Sequence, residues 1–177
     1  MVTHYTLSVG PFKRGFHLIT NDVFKVVSQW PDQGVFQLFI QHTSAGICIN
    51  EHADPAVRVD FELFFDRLAP EHLPGIQHHD EGPDDMPAHI KSVLSGSTVS
   101  IPIIDGRPAL GTWQGIFLCE FRTNATRRKL IISVIQLSLI HIFSPVKLTS
   151  TTGPMICLMV PTFIIDWYTS SYSPKEG

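Results

Sequence analysis

The sequence has few cysteines, few charges and no run of more than three basic residues. Its three cysteines, Cys48, Cys119 and Cys157, are far apart and form no Cys-x-x-Cys pair. That spacing argues against a zinc knuckle or a disulfide framework and predicts buried thiols in a reducing compartment. With a net charge of −3 and a pI near 6.3, the chain has no basic field that would attract a phosphate backbone. We therefore expect no nucleic-acid partner.

Long hydrophobic runs are also missing. No segment approaches the roughly 18 to 20 apolar residues that cross a bilayer. Residues 1–10 alternate polar and apolar side chains, unlike the basic and then apolar order of a signal peptide. We therefore expect a cytoplasmic protein without a membrane partner. The 177 residues, 44% of them hydrophobic, are enough for one compact domain with a real core.

Hydrophobic periodicity and turn residues predict a mixture of strands and helices. Strands are predicted over residues 4–9, 35–41, 46–50, 98–104, 116–122 and 129–136. Helices are predicted near 22–30, over 54–68, and from 84–87 to Gly96. In the second helix Asp54 can cap the start, and five apolar side chains are expected to face inward: Val57, Phe61, Phe64, Phe65 and Leu68. In the third, the expected inward residues are Ile90, Val93 and Leu94.

The chain also changes character near its end. Residues 1–136 carry the predicted elements and form the predicted domain. Residues 137–177 are rich in Ser and Thr, and prolines interrupt their apolar clusters without a sustained helical or alternating pattern. We interpret this segment as an atypical C-terminal extension of poor order.

Residues 78–91 concentrate imidazoles and carboxylates. His78 and His89 enclose Glu81, Asp84 and Asp85, and a further imidazole, His42, ends a predicted strand. Neutral imidazole and carboxylate hold Zn²⁺ and similar ions, and three histidines would leave one coordination position open for water or substrate. The alternative for each imidazole is an ordinary hydrogen-bonded histidine, and for Asp84 and Asp85 a cap on the next helix.

Residues 110–122 form a second notable segment. Gly111 and Gly115 bracket Trp113 and Gln114, which suggests a tight backbone path that displays an aromatic ring and an amide. Glu120 and Arg122 share one face of the following strand. They could form a plain surface ion pair. In a pocket, Glu120 would instead serve as a general base, and Arg122 would hold a phosphate through its planar fork.

These same motifs resemble the YjbQ family, also called UPF0047. The resemblance runs in order from about residue 4 to 136, through residues 41–45, 50–51, 78, 81–82, 84–87, 89–92, 111–115, 120 and 122. It implies an α+β protein, with an antiparallel β-sandwich of jelly-roll-like character and two or three flanking helices. It also implies a homotrimer, a histidine-lined site for a divalent metal and a weak thiamine-phosphate synthase activity.

Carried over by position, the resemblance gives each motif residue an expected role. The metal ligands are His42, His78 and His89; the catalytic residues are Asp85, Glu120 and Arg122; the residues that contact a cofactor or small phosphorylated molecule are Lys91, Trp113 and Gln114. Phe121 is a departure, because the family commonly has a histidine between that Glu and Arg. The long extension after residue 136 is another departure.

The expected chemistry depends on the metal. Three histidines suit Zn²⁺ better than Mg²⁺, which prefers oxygen ligands, so Zn²⁺ is expected first and Mg²⁺ second. In thiamine-phosphate synthesis the metal would clamp a leaving pyrophosphate, with Arg122 and Lys91 adding positive charge. The same site could activate water for hydrolysis. The alternative is a non-catalytic metal or small-ligand binding protein, which four protein ligands would favour over three.

Overall fold

A computed structural model describes residues 1–78 and 80–137, and the predicted extension lies outside these residues from 138 onward. The strands are β1 (Val2–Val9), β2 (Gly15–Leu18), β3 (Gln33–Ile40), β4 (Ala45–Glu51), β5 (Thr98–Ile104), β6 (Arg107–Pro108), β7 (Gln114–Glu120) and β8 (Arg128–Gln136). The helices are α1 (Thr20–Val26), α2 (Pro55–Leu68) and α3 (Asp85–Ser95).

The strands form two antiparallel sheets. One has the order β1-β8-β3-β5-β6 and the other the order β2-β7-β4. Buried side chains of both sheets share the main core, for example Phe36 and Ile132 from the first sheet with Ile47 and Leu118 from the second. The sheets therefore face each other across one hydrophobic layer. This arrangement with three helices confirms the predicted α+β fold class.

Helix α2 covers the outer face of the smaller sheet. The Asp54 carboxylate accepts a hydrogen bond from the Ala56 N–H at 2.8 Å, which confirms the predicted cap. Phe61 and Phe65 pack on a second cluster that contains Phe16, Phe117, Cys119 and Phe121. The predicted inward face was wrong at two positions, since Phe64 and Leu68 are 59% and 52% exposed. No residue of α2 is fully buried, so this helix lies on the sheet rather than in the core.

Helix α3 packs against β4 with a polar face. Ser92 Oγ donates to the Ala45 carbonyl at 2.8 Å, and the buried side of the helix includes Asp85 and Lys91. The predicted inward residues Val93 and Leu94 are instead 83% and 54% exposed. Burying two ionisable side chains is costly unless they have partners, so the contacts of this helix face decide whether its role is structural or functional.

Smaller differences from the predicted elements occur around β2 and β7. The four-residue strand β2 was not predicted, and β7 begins and ends two residues earlier than expected. Its pairing with β4 runs from Ala45 opposite Glu120 to Glu51 opposite Gln114, so Phe121 and Arg122 lie beyond the ladder. Among the described residues, the helices are all too short or too polar to span a membrane.

Candidate metal centre

His78, Asp85 and His89 come together at the start of α3. One nitrogen or oxygen atom from each residue lies within 4.8 Å of the other two. His78 Nε2 is 2.7 Å from Asp85 Oδ2, and His89 Nε2 is 3.6 Å from Asp85 Oδ1. One helical turn separates Asp85 from His89, which places both side chains on the same side of α3. The Asp85 side chain is only 2% exposed, whereas both imidazoles reach solvent.

A backbone carbonyl fixes the orientation of His89. Its Nδ1 lies 2.9 Å from the carbonyl oxygen of Thr43, in the loop between β3 and β4. Because a carbonyl can only accept, Nδ1 must carry the proton, and in the neutral ring Nε2 therefore presents a lone pair toward Asp85. Histidine ligands of metals are commonly oriented by such a bond from their second nitrogen to a carbonyl. This geometry therefore leaves His89 Nε2 as the ring nitrogen available to a cation.

One carboxylate oxygen of Asp85 lacks a hydrogen-bond donor among the described residues. Oδ1 contacts the Arg122 guanidinium as an ion pair. Oδ2 is buried and has no aligned hydrogen-bond partner among the described residues, although His78 Nε2 is 2.7 Å away. A buried carboxylate oxygen without a donor is costly, and a cation bound between the three side chains would satisfy it.

Arg122 lies among carboxylates rather than facing open solvent. Its Nε is 3.4 Å from Asp84 Oδ2, and its Nη2 donates to the Glu81 carbonyl at 2.8 Å. Asp84 stands at the N-terminal position of α3 but does not cap it, since its Oδ2 accepts from the Thr123 N–H at 2.7 Å. Burial raises the pKa of Asp84, but the Thr123 N–H and the Arg122 charge outweigh this and lower it. Asp84 therefore stays ionised and anchors Arg122.

His42 lies apart from this group and has different partners. Its Nε2 accepts the Lys129 N–H at 2.8 Å, and its Nδ1 is 3.3 Å from Arg128 Nη1. Burial, with the Arg128 charge, lowers the pKa of His42. Within the described residues the metal-ligand group contains Asp85 and not His42. The metal role of His42 stays a prediction, while its bonds favour a neutral imidazole that links β8 to the loop after β3.

The predicted catalytic base, Glu120, is fully buried in an ion pair. Arg128 donates to both of its oxygens, from Nε to Oε2 at 2.7 Å and from Nη2 to Oε1 at 2.6 Å. The Arg122 N–H also donates to Oε1, at 3.0 Å. From the sequence, Arg128 was considered only as an additional positive charge near a leaving pyrophosphate, and its pairing with Glu120 was not predicted. Three donors already occupy the two oxygens of this carboxylate, so this geometry favours a structural role.

The residues predicted to contact a small molecule are not gathered at the metal-ligand group. Lys91 is 2% exposed, and its Nζ donates to Asp66 Oδ1 on α2 at 2.7 Å. The Gln114 side chain accepts from the Gly111 N–H at 2.8 Å and closes its own turn. Trp113 is 64% exposed beside a wide, open depression of about 630 Å³. Their predicted contacts with a cofactor stay predictions.

Comparison with known proteins defines the family. A family profile described as "UPF0047 protein YjbQ-like" matches residues 5–137. The chain belongs to the UPF0047 family. The UPF0047 protein YjbQ of Escherichia coli O157:H7 is 43% identical over 129 residues, which cover 71% of this chain and 92% of the relative.

Solved UPF0047-like structures agree with the fold. A conserved hypothetical protein from Thermus thermophilus is 34% identical with a TM-score of 0.66, and the match covers 74% of this chain and 99% of that one. An uncharacterised YjbQ/UPF0047 protein from Clostridium acetobutylicum is 38% identical with a TM-score of 0.61, covering 75% and 99%. The matched part therefore corresponds to nearly a whole protein in each case.

The departure at Phe121 concerns the aromatic cluster under α2. Phe121 is 4% exposed, and its ring centroid lies 5.7 Å from that of Phe65 and 6.1 Å from that of Phe16. Its neighbours Glu120 and Arg122 instead contact Arg128 and the carboxylates at α3. Phenylalanine at this position therefore adds apolar packing beneath α2.

Proposed function

We propose that this UPF0047 protein binds a divalent cation, Zn²⁺ in preference to Mg²⁺, through His78, Asp85 and His89. The observation that carries the proposal is the orientation of His89, whose Nδ1 lies 2.9 Å from the Thr43 carbonyl while its Nε2 points at the buried carboxylate of Asp85, 3.6 Å away. Without a proton or a cation between them, a lone pair and a carboxylate repel each other. Two nitrogens and one carboxylate oxygen form a ligand set that Zn²⁺ accepts, whereas Mg²⁺ prefers oxygen.

The charge and spacing of the group support a doubly charged ion. With neutral imidazoles, the carboxylates of Glu81, Asp84 and Asp85 and the Arg122 guanidinium leave a formal net charge of −2 around the site. Tetrahedral Zn²⁺ with bonds of about 2.0 to 2.1 Å places its ligand atoms about 3.3 Å apart. The separations of 2.7 and 3.6 Å join the two imidazoles to different Asp85 oxygens, Oδ2 and Oδ1, so the side chains would have to move for one oxygen and both nitrogens to surround the ion.

Three protein ligands favour a site that acts on a bound molecule. A fourth position would be open to water or to an anionic oxygen, and His78 and His89 are both partly exposed on that side. Arg122, held beside the group by Asp84, would add positive charge for a phosphorylated small molecule. Two reaction classes use these elements: loss of pyrophosphate, as in the thiamine-phosphate synthase activity that the family resemblance implies, and hydrolysis by metal-activated water.

We also propose that the chain assembles as a homotrimer and that α2 contributes to the contact. Its outer face exposes four large apolar side chains: Val59, Leu63, Phe64 and Leu68. Exposed apolar side chains that adjoin one another on a soluble protein commonly mark a protein–protein contact. Assembly of identical subunits would cover this face in each copy.

The test of the metal centre is Zn²⁺ binding by the full chain after removal of metal with a chelator. Isothermal titration should show one equivalent per chain for wild type, and His89→Ala and Asp85→Ala should each weaken the affinity at least tenfold because each removes a ligand. The matched control is His52→Ala, which changes an exposed histidine outside the group and should bind like wild type.

Two further results would decide whether His42 is a ligand and whether the proposed site binds Zn²⁺. Retention of the full stoichiometry in His42→Ala would assign His42 to structure, whereas its loss would make His42 a ligand, as the sequence predicts. Wild type that binds no Zn²⁺ after reconstitution, or His89→Ala that binds it unchanged, would contradict the proposed site. If Zn²⁺ binds, the loaded protein should be assayed with phosphorylated and pyrophosphorylated small molecules; no turnover with any of them would favour metal binding without catalysis.

A further inference from the structure

Two thiols lie in contact between β4 and β7, outside the metal centre. Cys48 Sγ and Cys119 Sγ are 3.6 Å apart. Cys119 is fully buried, whereas Cys48 is partly exposed. In the strand register Cys48 stands opposite Phe117 and Cys119 stands opposite Gly46, so the two cysteines are diagonal neighbours. The proposed metal chemistry uses neither thiol.

The two thiols differ in acidity because one hydrogen bond joins them. The hydrogen bond between the two thiols lowers the pKa of Cys48 against the opposing effect of burial. The same hydrogen bond and burial raise the pKa of Cys119 well above its usual value. Cys48 is also the more exposed of the two, so we assign it as the attacking thiol and the buried Cys119 as the thiol that closes the disulfide.

We propose that Cys48 and Cys119 are a site of reversible oxidation by hydroperoxides. The Cys48 thiolate attacks a peroxide oxygen, the O–O bond breaks, and hydrogen peroxide yields Cys48 sulfenic acid and hydroxide. The Cys119 sulfur then attacks the Cys48 sulfur, the S–O bond breaks, and the departing hydroxide leaves as water with the Cys119 proton. In total, two thiols lose two electrons and two protons, and one peroxide becomes two waters.

The strand geometry makes the disulfide a reversible modification rather than a permanent cross-link. Diagonal residues on antiparallel strands have Cα atoms about 7 to 8 Å apart, whereas disulfides usually span about 4.4 to 6.8 Å. The sulfurs must also approach from 3.6 Å to about 2.05 Å, so β4 or β7 must bend when the bond forms. A strained disulfide has a high reduction potential and is readily reduced by thiols.

Helix α2 controls access to Cys48. The partly exposed sulfur borders a narrow cleft under α2, whose walls include Phe16, Val57 and Phe61. The cleft itself has no room for a water molecule, so a movement of α2 would increase the access of peroxide to Cys48. Because α2 has no fully buried residue within the chain, its local opening costs less than global unfolding, although in the proposed trimer it would also require release of the α2 contact. Oxidation is therefore expected to be slow in buffer and faster in low concentrations of urea.

The experiment oxidises the full chain with hydrogen peroxide and maps its thiols. Cys157→Ser is the working background, because it removes the third cysteine and keeps the pair. Its titratable thiols, measured after unfolding, should fall from two to zero, and dithiothreitol should restore both. Mass spectrometry should find a Cys48–Cys119 cross-linked peptide, two hydrogens lighter than the sum of its parts, also in peroxide-treated wild type.

Single variants in this background separate the two roles. Cys119→Ser should trap Cys48 as a sulfenic acid that reacts with dimedone, whereas Cys48→Ser should give no adduct at Cys119. The proposal is overturned if the Cys157→Ser protein keeps both thiols under peroxide in low urea, or if the adduct forms at Cys119. A sulfenic acid in wild type that never becomes the cross-linked peptide would also overturn it. The wild-type peptide map decides the question even if a single variant fails to fold.

Discussion

Replacement of Glu120 by alanine should destabilise the protein strongly and leave the metal centre occupied. The substitution removes both carboxylate oxygens that bind Arg128, whose side chain is only 6% exposed. Leaving one buried charge without its partner costs about 3 to 5 kcal/mol. For a chain of this size, each kcal/mol shifts the melting temperature by about 2 to 4 °C. We therefore expect Glu120→Ala to melt about 6 to 20 °C below wild type.

The assay is thermal and urea denaturation of wild type and Glu120→Ala, together with Glu120→Leu, Arg128→Met and the double variant of these last two. If the pair is structural, the double variant should be more stable than either of its single variants, because no charge is then left alone in the interior. Zn²⁺ stoichiometry, measured on folded protein, should be unchanged in every variant. The reasoning fails if Glu120→Ala melts within about 3 °C of wild type, a loss of about 1 kcal/mol. Loss of turnover without loss of stability would instead make Glu120 a catalytic base.

Two other variants test the surface of α2. Burial raises the pKa of Asp66, but the charges and hydrogen bonds of Lys91 and Arg14 outweigh this and lower it. Ionised Asp66 therefore stabilises the fold at pH values above its ordinary pKa of 3.8. This contribution is lost as the pH falls through the lowered pKa. In urea titrations Asp66→Asn should therefore be less stable than wild type at pH 7, and the difference should shrink below pH 4; a constant difference would contradict this. If α2 lies in the trimer contact, Leu63→Glu should lower the molar mass measured by light scattering. The control Leu63→Met should leave the molar mass unchanged. A Leu63→Glu protein that is still trimeric would exclude that contact.

Local signals in the sequence predicted the start of α2 but not its packing. Asp54 and Pro55 act within one turn, and the observed cap follows from those residues alone. The inward face of α3 could not be found in this way. Its apolar residues Val93 and Leu94 follow a helical stripe, yet β4 packs on the side that carries Asp85. Tertiary contacts outweigh amphipathic periodicity when the buried side of a helix holds a polar site.

The sequence places two members of the His78, Asp85 and His89 cluster close together, and the role of all three as metal ligands stays a prediction. His78 and His89 were identified from ligand chemistry and close spacing, both visible in the sequence. The third member that the structure supplies is Asp85, which the sequence analysis considered as a cap or a catalytic residue. The role of Thr43 had no signal at all, because every residue has a backbone carbonyl and only the fold brings this one to His89. The residue type predicts a ligand, but long-range geometry selects which ligands meet.

The pattern of buried charge separates the structural ion pairs from the functional site. Among the described residues, Lys91 is bound by Asp66, and both oxygens of Glu120 are bound by Arg128. Asp85 differs, because its buried Oδ2 lacks an aligned donor and lies 2.7 Å from the ring nitrogen of His78, while His89 lies nearer Oδ1. If the proposed cation binds at this carboxylate, it should raise the stability of the fold, and the melting temperature should rise with Zn²⁺ concentration.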